Sequence, residues 1–371
     1  MTMNGLKRRT VALVAMAMAL PLAAQVKTDV PPPVPGAKPV TIERLKVHGA
    51  ALEGNLGGEA TDREVIVFLP PEYAADKERR FPVLYALHGY SIGAEQWTQE
   101  IHVPQTIEGA FARGAAPMIV VLPDSKTQYG GSIYSSSVTV GDFETYVSRD
   151  VVAYIDSHYR TIPDRRARGL AGHSMGGQGT TRIGMKHPDV FGSLYIMSPG
   201  LLLPHPAELP RMGSTTSPEA DQKAFEAAVK AMKSPKDTAG LSLAGRAQLA
   251  VAAAWSPNPK KPPLYLDLPL MDGKTDANVL AKWAANAPLA FLDQYVGNLR
   301  RYRAIGLDVG DEDPGLDESK ALKAALDRYA IPVTFEIYRG THTSAVADRF
   351  QNHVIPFFGK NLCQRAPCTT P

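Results

Sequence analysis

Residues 166–188 read RARGLAGHSMGGQGTTRIGMKHP, and the role given to Ser174 within them decides the fold. RGLAG (168–172) is a short apolar run of the kind that makes a buried strand, and the MGGQGTTRIGMK that follows is compatible with a helix. Ser174 therefore falls on a strand-to-helix turn, with Gly172 two residues before it and Gly176 two residues after. A nucleophile elbow needs that spacing: the tight turn brings strand and helix too close for side chains, and lifts the hydroxyl clear of the sheet. The pentapeptide alone is a weak signal in a chain with 31 glycines, where it can equally mark a small residue in a glycine-rich turn. Its surroundings have to choose.

Six other short runs, rich in β-branched residues and bounded by Gly or Pro, read as strands: EVIVFLP (64–70), FPVLYALHG (81–89), PMIVVLPD (117–124), GSLYIMSPG (192–200), AIGLDVG (304–310) and VTFEIYRG (333–340). Helical patterns alternate with them. FETYVSRDVVAYIDSHY (143–159) sets Tyr146, Val147, Val151, Tyr154 and Ile155 on one face, and DESKALKAALDRYA (317–330) does the same with Leu322, Ala325, Leu326 and Tyr329. Alternation of this kind predicts a mostly parallel sheet flanked by helices. Residues 201–298 break the rhythm with helical stretches and proline-rich links but no strand pattern. They are expected to be an insertion, either a helical cap over the C-terminal edge of the sheet or a helical layer packed away from the site.

A serine hydroxyl is a weak nucleophile at neutral pH, so a general base and an acid to orient it must follow. On an elbow-bearing sheet the chain order is Ser, then Asp or Glu, then His. DVGDEDPGL offers Asp308, Asp311, Glu312 and Asp313 around one strand end, and YRGTHTSAVADRF offers His342 after the last strand. Both segments lie at strand C-termini, where an open α/β sheet places its ligands. His173 is next to Ser174 but is expected to point elsewhere on the strained turn, and His353 falls within the last helix. The oxyanion needs two donors: the Met175 N–H, and one from the loop after the HG at 88–89, for which the Tyr90 N–H is the candidate. Trp97, Tyr134, Trp255 and Trp283 are candidates for an aromatic pocket, with ordinary packing as the alternative.

The N-terminus reads as a secretory leader: Lys7, Arg8 and Arg9, an apolar run, then Leu22-Ala23-Ala24 as the cleavage site. The apolar run stops at Pro21, short of the ~20 residues a spanning helix needs, so no stable membrane anchor is expected and the protein should be periplasmic or secreted. The chain holds 40 Lys+Arg against 37 Asp+Glu, and removing the three basic residues of 1–24 leaves 37 of each. No clustered basic face for nucleic acid is visible. Residues 25–40, with VPPPVPGAKP, read as a proline-rich linker, 41–360 as the domain with its 201–298 insertion, and 361–371 as a tail. Cys363 and Cys368 are expected to pair in an oxidising compartment and merely tether that tail. No metal or other cofactor is expected, because no ligand cluster is visible.

Taken together, VLYALHGYSIGAEQW, GGSIYSSSVTVGDFETYVSRDVVAYIDSHYRT, GLAGHSMGGQGTTRIGMKHPDVFGSLYIMSPG, DVGDEDPG and YRGTHTSAVADRF resemble the esterase D branch of the α/β-hydrolases. That branch includes feruloyl esterases, S-formylglutathione hydrolases and mycolyltransferases of the antigen 85 type. The similarity spans about residues 40–360, insertion excepted. It implies an α/β-hydrolase fold with Ser174 as nucleophile, His342 as base and Asp313 as acid, since the family's acid usually falls three residues after a strand-ending glycine, here Gly310; Asp311 is the fallback. The long insertion, and GTHT in place of the commoner Gly-Gly-His, depart from the pattern and bear on the substrate. The implied activity is hydrolysis of small-molecule or carbohydrate-linked esters, feruloyl or acetyl; the alternatives are an acyltransferase using the same triad and a non-catalytic binding protein on this scaffold.

Overall fold

The computed structural model describes residues 26–203, 217–238 and 240–368, so the expected leader lies outside the described residues. Eight strands form one sheet: β1 (Thr41–His48), β2 (Asp62–Leu69), β3 (Val83–Leu87), β4 (Ile119–Pro123), β5 (Arg168–His173), β6 (Ser193–Met197), β7 (Ala304–Gly310) and β8 (Thr334–Tyr338). Their spatial order is β1-β2-β4-β3-β5-β6-β7-β8, and β2 alone runs against its neighbours. The central strands are apolar throughout because both their faces are covered. On β2, Val65 and Val67 enter one core while Ile66 and Phe68 enter the other; on β3, Tyr85 and Leu87 oppose Leu84 and Ala86 in the same way. Each such aliphatic side chain contributes roughly 1.5 to 3 kcal/mol on full burial.

One face carries a helix over 143–158, whose middle turn Tyr146–Val151 is a π-helix, together with α4 (Met175–Lys186) and α8 (Leu316–Arg328), where α3 denotes the 143–158 helix. The other carries α1 (Ala94–Glu100), α2 (Val103–Ala112) and the helical segment 346–361, here α9. β1 was not among the runs read as strands. Half of its residues TIERLKVH are exposed and only Val47 is fully buried, as befits a sheet edge, so no apolar run marks it.

The insertion holds α5 (Pro218–Ala231), α6 (Leu243–Trp255) and α7 (Ala277–Asn286). Its apolar residues join the core on the α4 side of the sheet. It is pinned to the 129–139 segment by Tyr129 OH donating to Leu264 O (2.6 Å) and Ser137 Oγ donating to Ala253 O (2.5 Å). Contrary to the expectation of helices without strands, the insertion also contains a hairpin with two residues in each strand, Leu270–Met271 against Lys274–Thr275. Its turn is Asp272-Gly273, both with positive φ (52° and 68°), a pairing that favours the primed hairpin turns. Residues 26–40 have no regular secondary structure and lie along α1 and α2, with Val26 and Val40 buried. Cys363 and Cys368 are joined by a disulfide, with Cα atoms 5.8 Å apart.

Candidate active site

Ser174 terminates β5 and caps α4 with φ 60° and ψ −116°, a conformation that L-residues reach only under constraint. The constraint is steric closeness on both sides. A Cβ at Gly172 would stand 2.3 Å from Gly176 O, and one at Gly176 would stand 2.1 Å from Leu87 O, so strand, turn and helix meet without room for a methyl. The Ser174 N–H donates to Met197 O on β6 (3.0 Å), which leaves the hydroxyl turned away from the sheet hydrogen bonds.

His342, in the loop after β8, places Nε2 2.8 Å from Ser174 Oγ. Its Nδ1 faces both carboxylate oxygens of Asp313, at 3.0 and 2.9 Å. The Asp313 side chain is fully buried and accepts from Gly315 N–H at 2.7 Å. Burial alone would push this carboxyl up; the His342 imidazole and the Gly315 N–H outweigh it and hold the group below the usual carboxylate range. The other acidic candidates point elsewhere. Asp311 accepts from Gly340 N–H (2.8 Å) and so ties the ends of β7 and β8 together. Asp308 is buried under the site, bonded to Arg349 Nε (2.8 Å) and Tyr195 OH (2.9 Å). Glu312 is exposed, its N–H donating to Gly340 O.

Met175 is the first residue of α4, where backbone N–H groups have no partner one turn back. Gly89 lies against Ser174: a Cβ there would be 3.5 Å from Ser174 Cβ. The peptide joining Gly89 to Tyr90 is oriented by His88, whose Nε2 accepts from Ser125 N–H (2.8 Å), leaving Nδ1–H to donate to Gly89 O (2.9 Å). Carbonyl and N–H of one trans peptide point opposite ways, so fixing Gly89 O also fixes the Tyr90 N–H. Burial lowers the His88 pKa, which keeps the ring neutral and this tautomer in place.

His173 was expected to point away from the chemistry, and it makes no bond to Ser174 Oγ; instead its Nε2–H donates to the His342 carbonyl (2.8 Å), with the two rings 4.9 Å apart. Burial, with the neighbouring His342 imidazole, pushes its pKa down to about 3. No sequence signal pointed to this contact, because the partners are 169 residues apart and meet only when β5 and the last loop are side by side. Arg349 is likewise a missed support: besides Asp308 it binds both carboxylate oxygens of Glu336 (2.9 and 2.6 Å) and lies 3.2 Å from Tyr195 OH. It thereby ties β7, β8 and the helix that follows the His342 loop.

The four aromatic candidates are all buried. Trp97 is fully buried on the far face of the sheet, edge-on to Phe350, and Tyr134 is buried with its OH donating to His88 O (3.1 Å). Trp255 and Trp283 meet at 85° inside the insertion, bonded through their indole N–H groups to Ser135 Oγ and Ser256 Oγ. Among the described residues no group of three or more His, Cys, Asp and Glu is placed to hold a metal ion, and no helix is long and apolar enough to cross a membrane.

The family model described as a putative esterase matches residues 59–356. An endo-1,4-beta-xylanase/feruloyl esterase of Xylanibacter ruminicola is 29% identical over 196 residues, 48% of this chain and 27% of that protein. The chain spans about a quarter to a third of the length of the curated relatives it matches (27% to 36%). Among solved structures, a ferulic acid esterase superposes with a TM-score of 0.61 at 22% identity, over 87% of this chain and 99% of that one. An S-formylglutathione hydrolase from Agrobacterium tumefaciens gives 0.56 at 16% identity, over 87% and 96%. These likenesses make the fold that of an α/β-hydrolase.

Proposed function

Because the chain belongs to the esterase family, we propose that it hydrolyses carboxylic esters through an acyl-enzyme on Ser174. The single observation that carries this reading is the hydrogen-bonded line from Ser174 Oγ through His342 to Asp313. In the proposed reaction His342 Nε2 takes the hydroxyl proton as Oγ attacks the ester carbonyl. The oxyanion of the tetrahedral intermediate is held by the Met175 and Tyr90 N–H groups, each donor of this kind being worth about 100- to 1,000-fold in rate. The imidazolium then protonates the departing alcohol, and water, deprotonated by the same ring, releases the acid. Asp313 fixes the tautomer and stabilises the imidazolium while staying ionised.

For the substrate, the names of the relatives, a xylanase/feruloyl esterase and a ferulic acid esterase, support feruloyl esters linked to carbohydrate, with acetyl esters as the other acyl class proposed. The basic, apolar and small-residue order of residues 1–24 supports export to the periplasm or beyond. Ser174→Ala tests the catalytic reading: turnover of p-nitrophenyl acetate and methyl ferulate should vanish, with the circular dichroism spectrum and Tm close to wild type. Retained turnover in that variant overturns it. Comparing kcat/KM across acetyl, butyryl, feruloyl and long-chain esters tests the substrate class, and a preference for long chains would refute it.

A further inference from the structure

We propose that Thr28, in the segment that precedes the sheet, is a positioning residue for His342; the inference rests on the catalytic reading above. Within the loop 341–345 the turn bonds, Thr341 N–H to Ser344 Oγ (2.9 Å) and Val346 N–H to Thr343 O (3.3 Å), shape the loop but do not fix it relative to Ser174. Beyond the Asp313 bond to the ring itself, outside contacts do that at three points. The Asp311 carboxylate and the Glu312 N–H hold Gly340 at the loop's start, and His173 holds the His342 carbonyl at its middle. Its end is held by the N-terminal segment: Thr28 Oγ1–H donates to Ser344 O (3.2 Å), and Asp29 N–H donates to the same oxygen (2.8 Å).

The Thr28 hydroxyl also accepts from Ala347 N–H (3.1 Å), a donor in the first turn of α9 that has no acceptor one turn back. One hydroxyl thus stitches the loop to the helix that follows it. The segment is itself anchored, so it can transmit position. Val26 N–H donates to Glu100 Oε2 (2.7 Å) at the end of α1, Gln105 Nε2 on α2 donates to Pro31 O (2.6 Å), and Val26 is buried in the cluster that includes Trp97, Val346 and Ala347. Residues 26–31 therefore form a strap from α1 and α2 to the loop that carries the imidazole. Misplacement of a reacting group by ~1 Å can cost up to about a hundredfold in rate. Slackening one of these three points should cost less.

The test compares Thr28→Val, which keeps the shape and removes donor and acceptor, with Thr28→Ser, which keeps both. Active sites are titrated with a fluorophosphonate, kcat and KM are measured with p-nitrophenyl acetate, and the low-field proton resonance of the His342–Asp313 bond is recorded by NMR. The valine variant should show kcat per titrated site down about tenfold with KM little changed, and a broadened low-field resonance. The serine variant should match wild type. Wild-type kcat per titrated site and an intact resonance in Thr28→Val overturn the proposal, as does an equal loss in Thr28→Ser. If the wild-type chain takes up no fluorophosphonate and cleaves no ester, the catalytic reading fails on its own, and the resonance comparison still decides whether Thr28 orders the loop.

Discussion

Gly176→Ala puts one methyl where the elbow has no space for it. The added Cβ would lie 2.1 Å from Leu87 O, 2.7 Å from Leu87 C and 3.0 Å from His88 O, all backbone atoms, whereas ordinary contact begins near 3.4 Å. No rotamer can relieve this. The end of β3 and the start of α4 must part by roughly 1 Å, and close-packed interiors resist such a shift. Overpacking of this type costs about 1 to 3 kcal/mol, so the variant should fold with a Tm lower by some degrees. The effect on catalysis should be larger, because the atoms pushed apart carry the two proposed oxyanion donors: His88 leads into Tyr90 on one side, and Met175 stands beside Gly176 on the other. A displacement of ~1 Å between nucleophile and donors should lower kcat about a hundredfold or more. The assay is steady-state turnover of p-nitrophenyl acetate at a temperature where circular dichroism shows the variant folded. Gly297→Ala is the control, since that glycine is exposed and a Cβ there meets nothing within 4 Å. A folded Gly176→Ala with kcat close to wild type would refute the argument that the turn's closeness sets the site.

Three further outcomes follow from the same geometry. His173 is held neutral with its pKa pushed down to about 3, while the unfolded chain binds a proton near 6.5; the unfolded state therefore binds more protons between those values, and stability, full above about 6.5, should fall by up to about 1.4 kcal/mol per pH unit on acidification. Urea unfolding across that range should show a shallower fall in His173→Asn, and an unchanged slope would sink the assignment. Asp313 is held below the usual carboxylate range, so its stabilising charge persists above its unfolded value and is lost only as pH drops through the lowered one; the acid limb of kcat/KM should follow a single proton, and Asp313→Asn should lower kcat by about 10⁴ with little change in KM. Arg349→Met leaves the fully buried Asp308 carboxylate without its cation and should cost about 3 to 5 kcal/mol in denaturant unfolding, part of it restored by adding Asp308→Asn; a loss below about 1 kcal/mol would show the pair to be dispensable.

The sequence by itself determined the features that depend on near neighbours along the chain. Short continuous apolar runs such as EVIVFLP and PMIVVLPD, and the glycine spacing around Ser174, carry their own physical requirement, so the layered fold, the strand-to-helix turn and the family were legible from residues alone. Where the signal was faint the reading missed: β1 is an exposed edge, and the Leu270–Thr275 hairpin is announced only by Asp272-Gly273. The tertiary structure decided whatever requires distant segments to meet. The resemblance favoured Asp313 over Asp311, but the residues themselves could not separate the two, because the direction each carboxylate takes depends on how the turn after Gly310 packs against a loop 29 residues on. The contacts that steady His342 come from His173, 169 residues away, and, for its loop, from Thr28, 316 residues before Ser344. Neither leaves a local trace, since a buried histidine or a half-buried threonine looks the same in sequence whether it braces a loop or fills space, and only the folded sheet brings donor and acceptor within 3.2 Å.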